Sequence, residues 1–164
     1  MNIASCCFTG HRQVPLFELS PLTAQLDSVI ATLYGEGCRL FYAGGAMGFD
    51  TLAASRVLLF RATHEDAELH LLLPCRNQTK NWSVADAARF EEILAASNGF
   101  CYLRDDYSAE AMAIRNQALV DAADVCVAYL RRTTSGSGQT VRAAQKKGIP
   151  VINLANRFPA DNPF

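Results

Sequence analysis

The stretch RLFYAGGAMGFDTLAA, residues 39–54, places three glycines between an apolar run typical of a buried strand and a run typical of a helix. In an open α/β sheet this junction lies at the carboxyl end of the strand, where ligands bind. We therefore expect Gly44 and Gly45 to turn sharply with positive φ, and Gly48 to let the helix start approach a ligand or the strand. A glycine turn that only packs a helix on a sheet explains this stretch about equally well.

Six short apolar runs recur along the chain, and each is nearly continuous rather than alternating. Such runs are typical of parallel strands that helices cover on both faces. Segments with helical periodicity separate the runs, and this alternation predicts an open α/β sheet. The predicted strands cover residues 3–8, 38–43, 69–73, 100–103, 125–130 and 151–154.

Serines mark the starts of three predicted helices. Ser20 precedes a proline, which suits an N-cap followed by proline at the first helical position. A serine hydroxyl caps a helix by accepting a hydrogen bond from an amide one turn on. The helices are predicted after Ser20, from about Asp50 to Ala62, after Ser83, after Ser108, and from about Gly138 to Gly148.

Composition and charge limit the class of protein. The chain has 164 residues, of which 50% are hydrophobic and 19% charged, and its formal net charge is −1. It therefore has enough apolar mass for one domain, 1–164, and lacks the broad cationic field of a general nucleic-acid binder. No apolar run approaches the roughly 20 residues of a membrane span, and the first residues resemble no leader. We expect a cytoplasmic protein with no membrane or nucleic-acid partner, and a loosely ordered tail over residues 155–164.

The six cysteines have no C-x-x-C spacing, and five of them fall in or beside predicted strands. We expect these five to be small, buried, reduced side chains. Cys75 follows the third predicted strand and could face a cleft, although packing is the more frequent role of such a cysteine.

A second glycine segment, TSGSGQT, follows the fifth predicted strand. Neither segment matches the dinucleotide G-x-G-x-x-G pattern, and TSGSGQT lacks the lysine of a Walker loop. Hydride transfer and nucleoside triphosphate hydrolysis are therefore not supported, and we expect no cofactor and no metal. The candidate ligand-binding residues all lie near the expected carboxyl edge of the sheet: Thr9, Gly10, His11, Arg12, Gly44, Gly45, Gly48, Asp50, Trp82, Tyr107, Arg115, Asn116, Ser135, Gly136, Ser137, Gly138 and Thr140.

Charged and aromatic candidates each have a functional and a structural interpretation. Arg12 can grip a phosphate in a bidentate manner, and His11 can donate to it or shuttle a proton; a surface salt-bridging pair is the alternative. Arg115 lies in the helix before the fifth strand, where a solvated arginine is equally common. Trp82 and Tyr107 can stack on a base, or they fill the core or its rim.

Five segments, in this order, carry a resemblance to a known family: CCFTGHR, YAGGAMGFDTLAA, NQTKNW, YSAEAMAIRNQALVDAADVCVAYL and SGSGQTVRAAQKKGIPVINL. Together they resemble the YpsA-like proteins of DUF1273, in the SLOG superfamily, over nearly the whole chain. That superfamily also holds the LOG phosphoribohydrolases and the DNA-processing protein DprA. The resemblance implies a Rossmann-like, doubly wound three-layer sandwich with a mostly parallel sheet of about six strands. It also implies a nucleotide-derived ligand over the two glycine turns and, by analogy with LOG-like relatives, a homodimer.

The resemblance places Arg115 where LOG-type enzymes keep an arginine, which implies contact with a phosphate or ribose. The second motif of those enzymes, P-G-G-x-G-T-x-x-E, ends in a glutamate that assists cleavage of the N-glycosidic bond. Here Val141 and Arg142 stand at that place, so the main catalytic group is missing. Asp50 is the nearest acid, and its position before a helix favours an N-cap role.

These observations favour binding or sensing of a nucleotide-derived small molecule of the ADP-ribose or nucleoside-monophosphate type. One alternative is a LOG-like nucleoside 5′-monophosphate phosphoribohydrolase that uses a displaced acid such as Asp50 or Glu110, with Arg115 as a further catalytic candidate. Another is DprA-like binding of single-stranded nucleic acid, which the near-neutral charge supports poorly.

Overall fold

Six parallel strands alternate with five α-helices in the part of the chain that the structure describes, residues 2–157 of a computed structural model. The strands are β1 (Ser5–Gly10), β2 (Leu40–Ala43), β3 (Glu68–Cys75), β4 (Gly99–Arg104), β5 (Val125–Tyr129) and β6 (Val151–Asn153). The helices are α1 (Leu16–Gly35), α2 (Phe49–Arg61), α3 (Val84–Ala96), α4 (Ala109–Ala122) and α5 (Gly136–Lys147). A short 3₁₀ helix, Leu154–Arg157, covers the start of the predicted tail, and the rest of that tail lies outside the described residues.

The strand order is β4-β3-β2-β1-β5-β6. The chain moves outward from β1 to β4 and then returns, so that β5 pairs with the other edge of β1. Cys7 in β1 is paired with Tyr42 in β2 on one side and with Cys126 in β5 on the other. The point between β1 and β5 is therefore the topological switch point, where open α/β sheets bind ligands.

Helices cover both faces of the sheet. Phe8, Phe41 and Leu71 belong to the large core cluster that α1, α2 and α3 complete. Cys7 and Cys126 lie in a second cluster, with side chains of α4 and α5. The three layers and the all-parallel sheet confirm the predicted Rossmann-like, doubly wound fold.

The first helix begins earlier than the sequence predicts. Ser20 is not its N-cap, because α1 starts at residue 16 and Pro21 lies inside it. The extra turn holds Glu18, whose buried carboxylate accepts hydrogen bonds from the hydroxyl of Tyr129 and the guanidinium of Arg131. This contact with the end of β5 stabilises a turn that local sequence signals do not predict.

Two cysteines differ from their predicted environments. Cys75 is the last residue of β3 and is fully buried, so it faces no cleft, and burial raises the pKa of its thiol. Cys101 is exposed on the edge strand β4, where we expected a buried side chain. All six cysteines are free thiols.

Candidate functional site

A cavity of about 560 Å³ opens at the carboxyl ends of β1 and β5. We call it the switch-point cavity. The loop after β1, the start of α2, one face of α4 and the first turn of α5 form its walls. Eleven of the predicted site residues line it: Thr9, Gly10, His11, Arg12, Asp50, Tyr107, Arg115, Asn116, Ser135, Gly136 and Ser137.

A second cavity of about 540 Å³ lies beside the first, against the loop between β3 and α3. We call it the Trp82 cavity, after the predicted site residue that lines it. The two cavities share five lining residues: Arg12, Ala46, Tyr107, Met112 and Arg115. The two cavities are therefore neighbours, and we refer to the pair as the cleft.

The glycines after β2 serve packing inside the protein. Gly45 and Gly48 have positive φ angles of 73° and 74°. A positive φ was predicted for Gly44 and Gly45; the prediction is confirmed for Gly45 and wrong for Gly44. A Cβ added at Gly44 would lie 2.6 Å from Nη1 of Arg115, and one at Gly48 would lie 2.2 Å from the carbonyl oxygen of Arg12. The bare backbone lets these groups approach, and the three glycines line neither the switch-point cavity nor the Trp82 cavity.

The protein's own acceptors already occupy two amides near this turn. The amide of Ala46 donates to Oδ2 of Asp50 over 3.3 Å, and the amide of Phe49 donates to the carbonyl of His11 over 3.1 Å. Of the GGAMG segment, only Ala46 lines both cavities. The first predicted ligand loop therefore offers fewer donors than the sequence suggests.

The second glycine segment presents the first turn of α5 to the cavity. Ser135 is the N-cap, and its hydroxyl accepts a hydrogen bond from the amide of Gly138 over 3.2 Å. Gly136 and Ser137 follow on the cavity wall, and no group within residues 2–157 accepts from their amides. Unpaired first-turn amides and the helix dipole favour an anion at this place.

Arg115 and Asp50 are buried next to each other at the cavity wall, each only 5% exposed. Nε of Arg115 donates to Oδ1 of Asn116 over 2.9 Å, and its Nη1 donates to the carbonyl of Gly44. Asp50 is the second residue of α2 rather than its N-cap, which is Gly48. Burial raises the pKa of Asp50 to about 6 although Arg115 opposes the shift, and burial lowers the pKa of Arg115.

Asn116 connects α4 to the first turn of α5. Its Nδ2 donates to the carbonyl of Gly136 over 3.5 Å and to Oε1 of Gln139 over 3.3 Å. Thr140 is fully buried, and its hydroxyl donates to the same Gly136 carbonyl over 3.4 Å. Asn116 thus positions the first turn of α5, while Thr140 and Gly138 support that turn from outside the cavity lining.

His11 is an internal hydrogen-bond acceptor. Its Nε2 accepts from the amide of Arg131 over 2.8 Å, so its proton is on Nδ1. His11 is 8% exposed, and its burial lowers the pKa of the imidazole. The positive charges of Arg132 and Arg131 lower this pKa further. The neutral imidazole of His11 therefore holds the loop after β5 in place. This geometry favours neither a proton shuttle nor a surface salt bridge.

The two aromatic candidates lie at the cleft in different ways. Tyr107 is 61% exposed and lines both cavities, and its amide donates to Oδ1 of Asn77 over 3.1 Å. Trp82 is half-buried in the wall of its own cavity, with its ring edge-to-face against Phe90 at 5.7 Å. The ring of Tyr107 is thus exposed at the junction, whereas the ring of Trp82 packs against a neighbouring ring.

The residues at the place of the LOG-type glutamate lie away from the cleft. Val141 packs against Ala128 and Leu130, and Nη1 of Arg142 donates to the carbonyl of Thr133 over 2.5 Å. Glu110, the other candidate acid, is exposed in the first turn of α4 and lines neither cavity. Asp50 is the only carboxylate that lines either cavity in the described part of the chain.

Sequence reasoning missed several lining residues. Met112 and Leu119 lie one turn on either side of Arg115 and Asn116, so their helical spacing could have identified them. Three other missed residues lie in segments already singled out, namely Ala46, Ala109 and Gln139. The remaining two lie just outside such segments: Gln13 directly follows CCFTGHR, and Arg132 lies two residues before TSGSGQT.

No group of three or more His, Cys, Asp or Glu side chains within residues 2–157 is placed to hold a metal ion. In the same range, no helix has the length and apolar character that crossing a membrane requires.

Solved structures with similar folds include two DNA processing proteins. The protein from Helicobacter pylori, whose single-stranded DNA binding mode has been described, has a TM-score of 0.63 at 20% identity, over 90% of this chain and 63% of its own. DprA from Streptococcus pneumoniae has a TM-score of 0.63 at 14% identity, over 90% of this chain and 49% of its own. TM1055 has a TM-score of 0.59 at 16% identity, over 94% of this chain and 79% of its own. These likenesses show a shared fold.

Similarity in sequence is more specific. UPF0398 protein BH1768 of Halalkalibacterium halodurans is 26% identical over 123 residues, which are 74% of this chain and 65% of that protein. The chain thus spans slightly less than two thirds of the length of this relative. Residues 6–149 match the YpsA family model, described as the YspA SLOG family. Because the match includes both glycine segments and most of the chain, this protein belongs to the YpsA family of SLOG proteins.

Proposed function

We propose that the cleft binds a phosphate-bearing nucleoside derivative, of the nucleoside-monophosphate or ADP-ribose type. The observation that carries this proposal is that the two cavities lie side by side and share five lining residues. The first turn of α5 lies at one end, an indole ring lies at the other, and two arginines are common to both cavities. Each cavity has a volume in the range of small-molecule sites, roughly 300–1,000 Å³.

The phosphate binds at the α5 end of the cleft. Gly136 and Ser137 line this space, and their amides have no acceptor within residues 2–157. The exposed side chains of Arg12 and Arg132 line it as well. Guanidinium groups recognise phosphate in a bidentate manner, and hydrogen bonds to a charged group are the stronger ones. These groups together supply both charge and directed donors.

The base binds in the Trp82 cavity. The indole of Trp82 is held by Phe90 and offers a fixed aromatic surface, and exposed Tyr107 is placed to cover a ligand at the junction. Stacking on an aromatic side chain stabilises a base by roughly 1–3 kcal/mol.

Binding in this mode requires no catalysis. The hydrolase alternative rests on Asp50, the carboxylate that lines the switch-point cavity with a raised pKa. A hydrolase would release free base from AMP, and Asp50→Asn would abolish the release. We expect no base release, because no residue at positions 141–142 supplies the glutamate of the LOG-type motif.

Ligand binding is tested by the melting temperature in the presence of AMP and of ADP-ribose. A ligand that binds only the folded state raises that temperature. Arg115 is a poor probe, because removing its buried guanidinium would leave the Gly44 carbonyl without its donor and Asp50 without a nearby positive charge. The exposed arginines are better: Arg12→Ala and Arg132→Ala should each weaken binding about tenfold.

The matched control is Arg104→Ala. Arg104 is exposed at the end of β4, donates only to the neighbouring Leu103 carbonyl among the described residues, and lines neither cavity. Its substitution should leave the ligand-induced shift unchanged. Melting curves that stay flat across a broad nucleotide panel would reject the proposal. Mass spectrometry of molecules that co-purify with the chain would identify the natural ligand.

Single-stranded DNA binding is a second candidate function. It is favoured by the fold shared with the Helicobacter pylori protein, whose single-stranded DNA binding mode has been described. The net charge of −1 opposes it.

A cytoplasmic location and a homodimer also stay predictions.

A further inference from the structure

The carboxylate of Asp50 has unused acceptor capacity at the cavity wall. Its Oδ2 accepts from the amide of Ala46, and the Gly44 amide also stabilises its charge. No side-chain donor within residues 2–157 hydrogen-bonds to it, although the residue is 95% buried. A carboxylate provides about four acceptor sites, so a ligand in the cavity can still donate to this group.

Arg115 has unused donor capacity at the same place. Its Nε and Nη1 are occupied by Asn116 and by the Gly44 carbonyl, whereas Nη2 has no acceptor in the described part of the chain. Arg115 lines both cavities, so the residue lies at their junction. A buried guanidinium with an unpaired N–H is costly unless water or a ligand accepts from it.

The two groups flank the same point of the backbone. A Cβ added at Gly44 would lie 2.6 Å from Nη1 of Arg115 and 3.0 Å from Oδ2 of Asp50. An obligate acceptor and an obligate donor therefore stand side by side in one wall. A vicinal diol is complementary to such a pair, because each hydroxyl both donates and accepts.

We propose that Asp50 and Arg115 form a subsite for the vicinal hydroxyls of a ribose, so that the ligand is a ribonucleotide rather than a deoxyribonucleotide. This inference rests on the proposed function. The carboxylate would repel a phosphate placed against it, which leaves the phosphate to the first turn of α5. The pair also lies between that turn and the Trp82 cavity, as the sugar lies between phosphate and base.

The test compares AMP, 2′-deoxy-AMP and 3′-deoxy-AMP on the wild-type chain by isothermal titration calorimetry. We expect AMP to bind at least about tenfold more tightly than either deoxy analogue, because each analogue leaves a buried charged group without its partner. Equal affinity for the three would overturn the diol subsite and leave the proposed function standing. No binding of any of the three would overturn both.

Variants add a second readout. Asp50→Asn should bring the ratio of AMP to 2′-deoxy-AMP affinity to within about threefold, mainly by weakening AMP. Asp106→Asn removes the same charge from an exposed residue that lines neither cavity, and it should keep the wild-type ratio. An unchanged ratio in Asp50→Asn would contradict the assignment of this residue. The wild-type comparison remains decisive if that variant does not fold.

Discussion

Asp50 shows how one side chain couples the stability of this protein to pH. Its pKa is about 6 in the folded chain against a reference value of 3.8, because burial disfavours the carboxylate despite Arg115 and Arg12. Between these pH values the folded state holds a proton that the unfolded state has released. Raising the pH from 4 to 7 therefore lowers the free energy of unfolding, by about 2 kcal/mol for a shift of this size.

Asp50→Asn removes this dependence, since an amide does not titrate. We expect the variant to gain stability relative to the wild type as the pH rises from 4 to 7, as measured by urea unfolding at several pH values. Arg115, Arg12 and the nearby thiol Cys7 are the charged and titratable groups that face the carboxyl, and they are the same in both proteins. Parallel stability profiles for the two proteins would contradict this prediction. Asp106→Asn should run parallel to the wild type.

The position of a single residue at the cleft was predictable where its neighbours in the sequence determine that position. Arg115 was expected at the cleft from the family resemblance, and the structure places it and the adjacent Asn116 on the wall of the switch-point cavity. The role of His11 was not predictable, because its acceptor function depends on the amide of Arg131, 120 positions away in the sequence. The prediction for Gly44 failed for a similar reason, because the absence of a side chain there makes room for the distant Arg115.

The β2–α2 junction requires glycine at residue 48. Its φ of 74° disfavours any side chain, and an added Cβ would lie 2.2 Å from the backbone oxygen of Arg12. We expect Gly48→Ala to lower the free energy of unfolding by about 3 kcal/mol or more, measured by urea denaturation. Gly35→Ala is the matched control: this last residue of α1 has no positive φ and no atom within 4 Å of an added Cβ. That control should be neutral or stabilised by up to about 1 kcal/mol.

Helix α5 depends on its cap for stability, and the proposed phosphate site lies at the same turn. Ser135→Ala and Ser83→Ala each remove a serine whose hydroxyl accepts from an amide three residues on. Each should cost about 1 kcal/mol in unfolding experiments. Only Ser135 lines the switch-point cavity, so only its loss should also weaken AMP binding. Equal AMP affinity in the two variants would contradict the placement of the phosphate at this turn.

Helices and strands were predictable because apolar runs and caps are local signals. The capping serines of α3, α4 and α5 all hold their helices as N-cap residues, although only the first two were predicted in that role. The predicted start of α1 was wrong by five residues, because Tyr129, which is 111 positions away in the sequence, stabilises the turn that contains Glu18. Element boundaries fail where a long-range contact overrides the local preference.

At the scale of the whole molecule, the sequence predicts a parallel sheet but not the order of its strands. Continuous apolar runs show that both faces are covered, and they do not show which strands are neighbours. The cleft exists only because the chain returns after β4 to place β5 beside β1. That pairing brings the loop after β1 against the first turn of α5, which the sequence separates by more than 120 positions.

The charge of the whole molecule separates nucleotide binding from nucleic-acid binding. The formal net charge is −1, and the exposed cations at the cleft are few, among them Arg12, Lys80 and Arg132. We expect a fluorescent oligothymidine to bind with a Kd no tighter than about 10⁻⁴ M at physiological salt, as for non-specific contacts, and to be released as salt increases. Fluorescence anisotropy measures this, with the Helicobacter pylori DNA processing protein as the positive control. AMP binding through directed hydrogen bonds should change less over the same range of salt. Tight oligothymidine binding that Arg12→Ala and Arg132→Ala weaken, and that AMP displaces, would instead assign the cleft to single-stranded DNA.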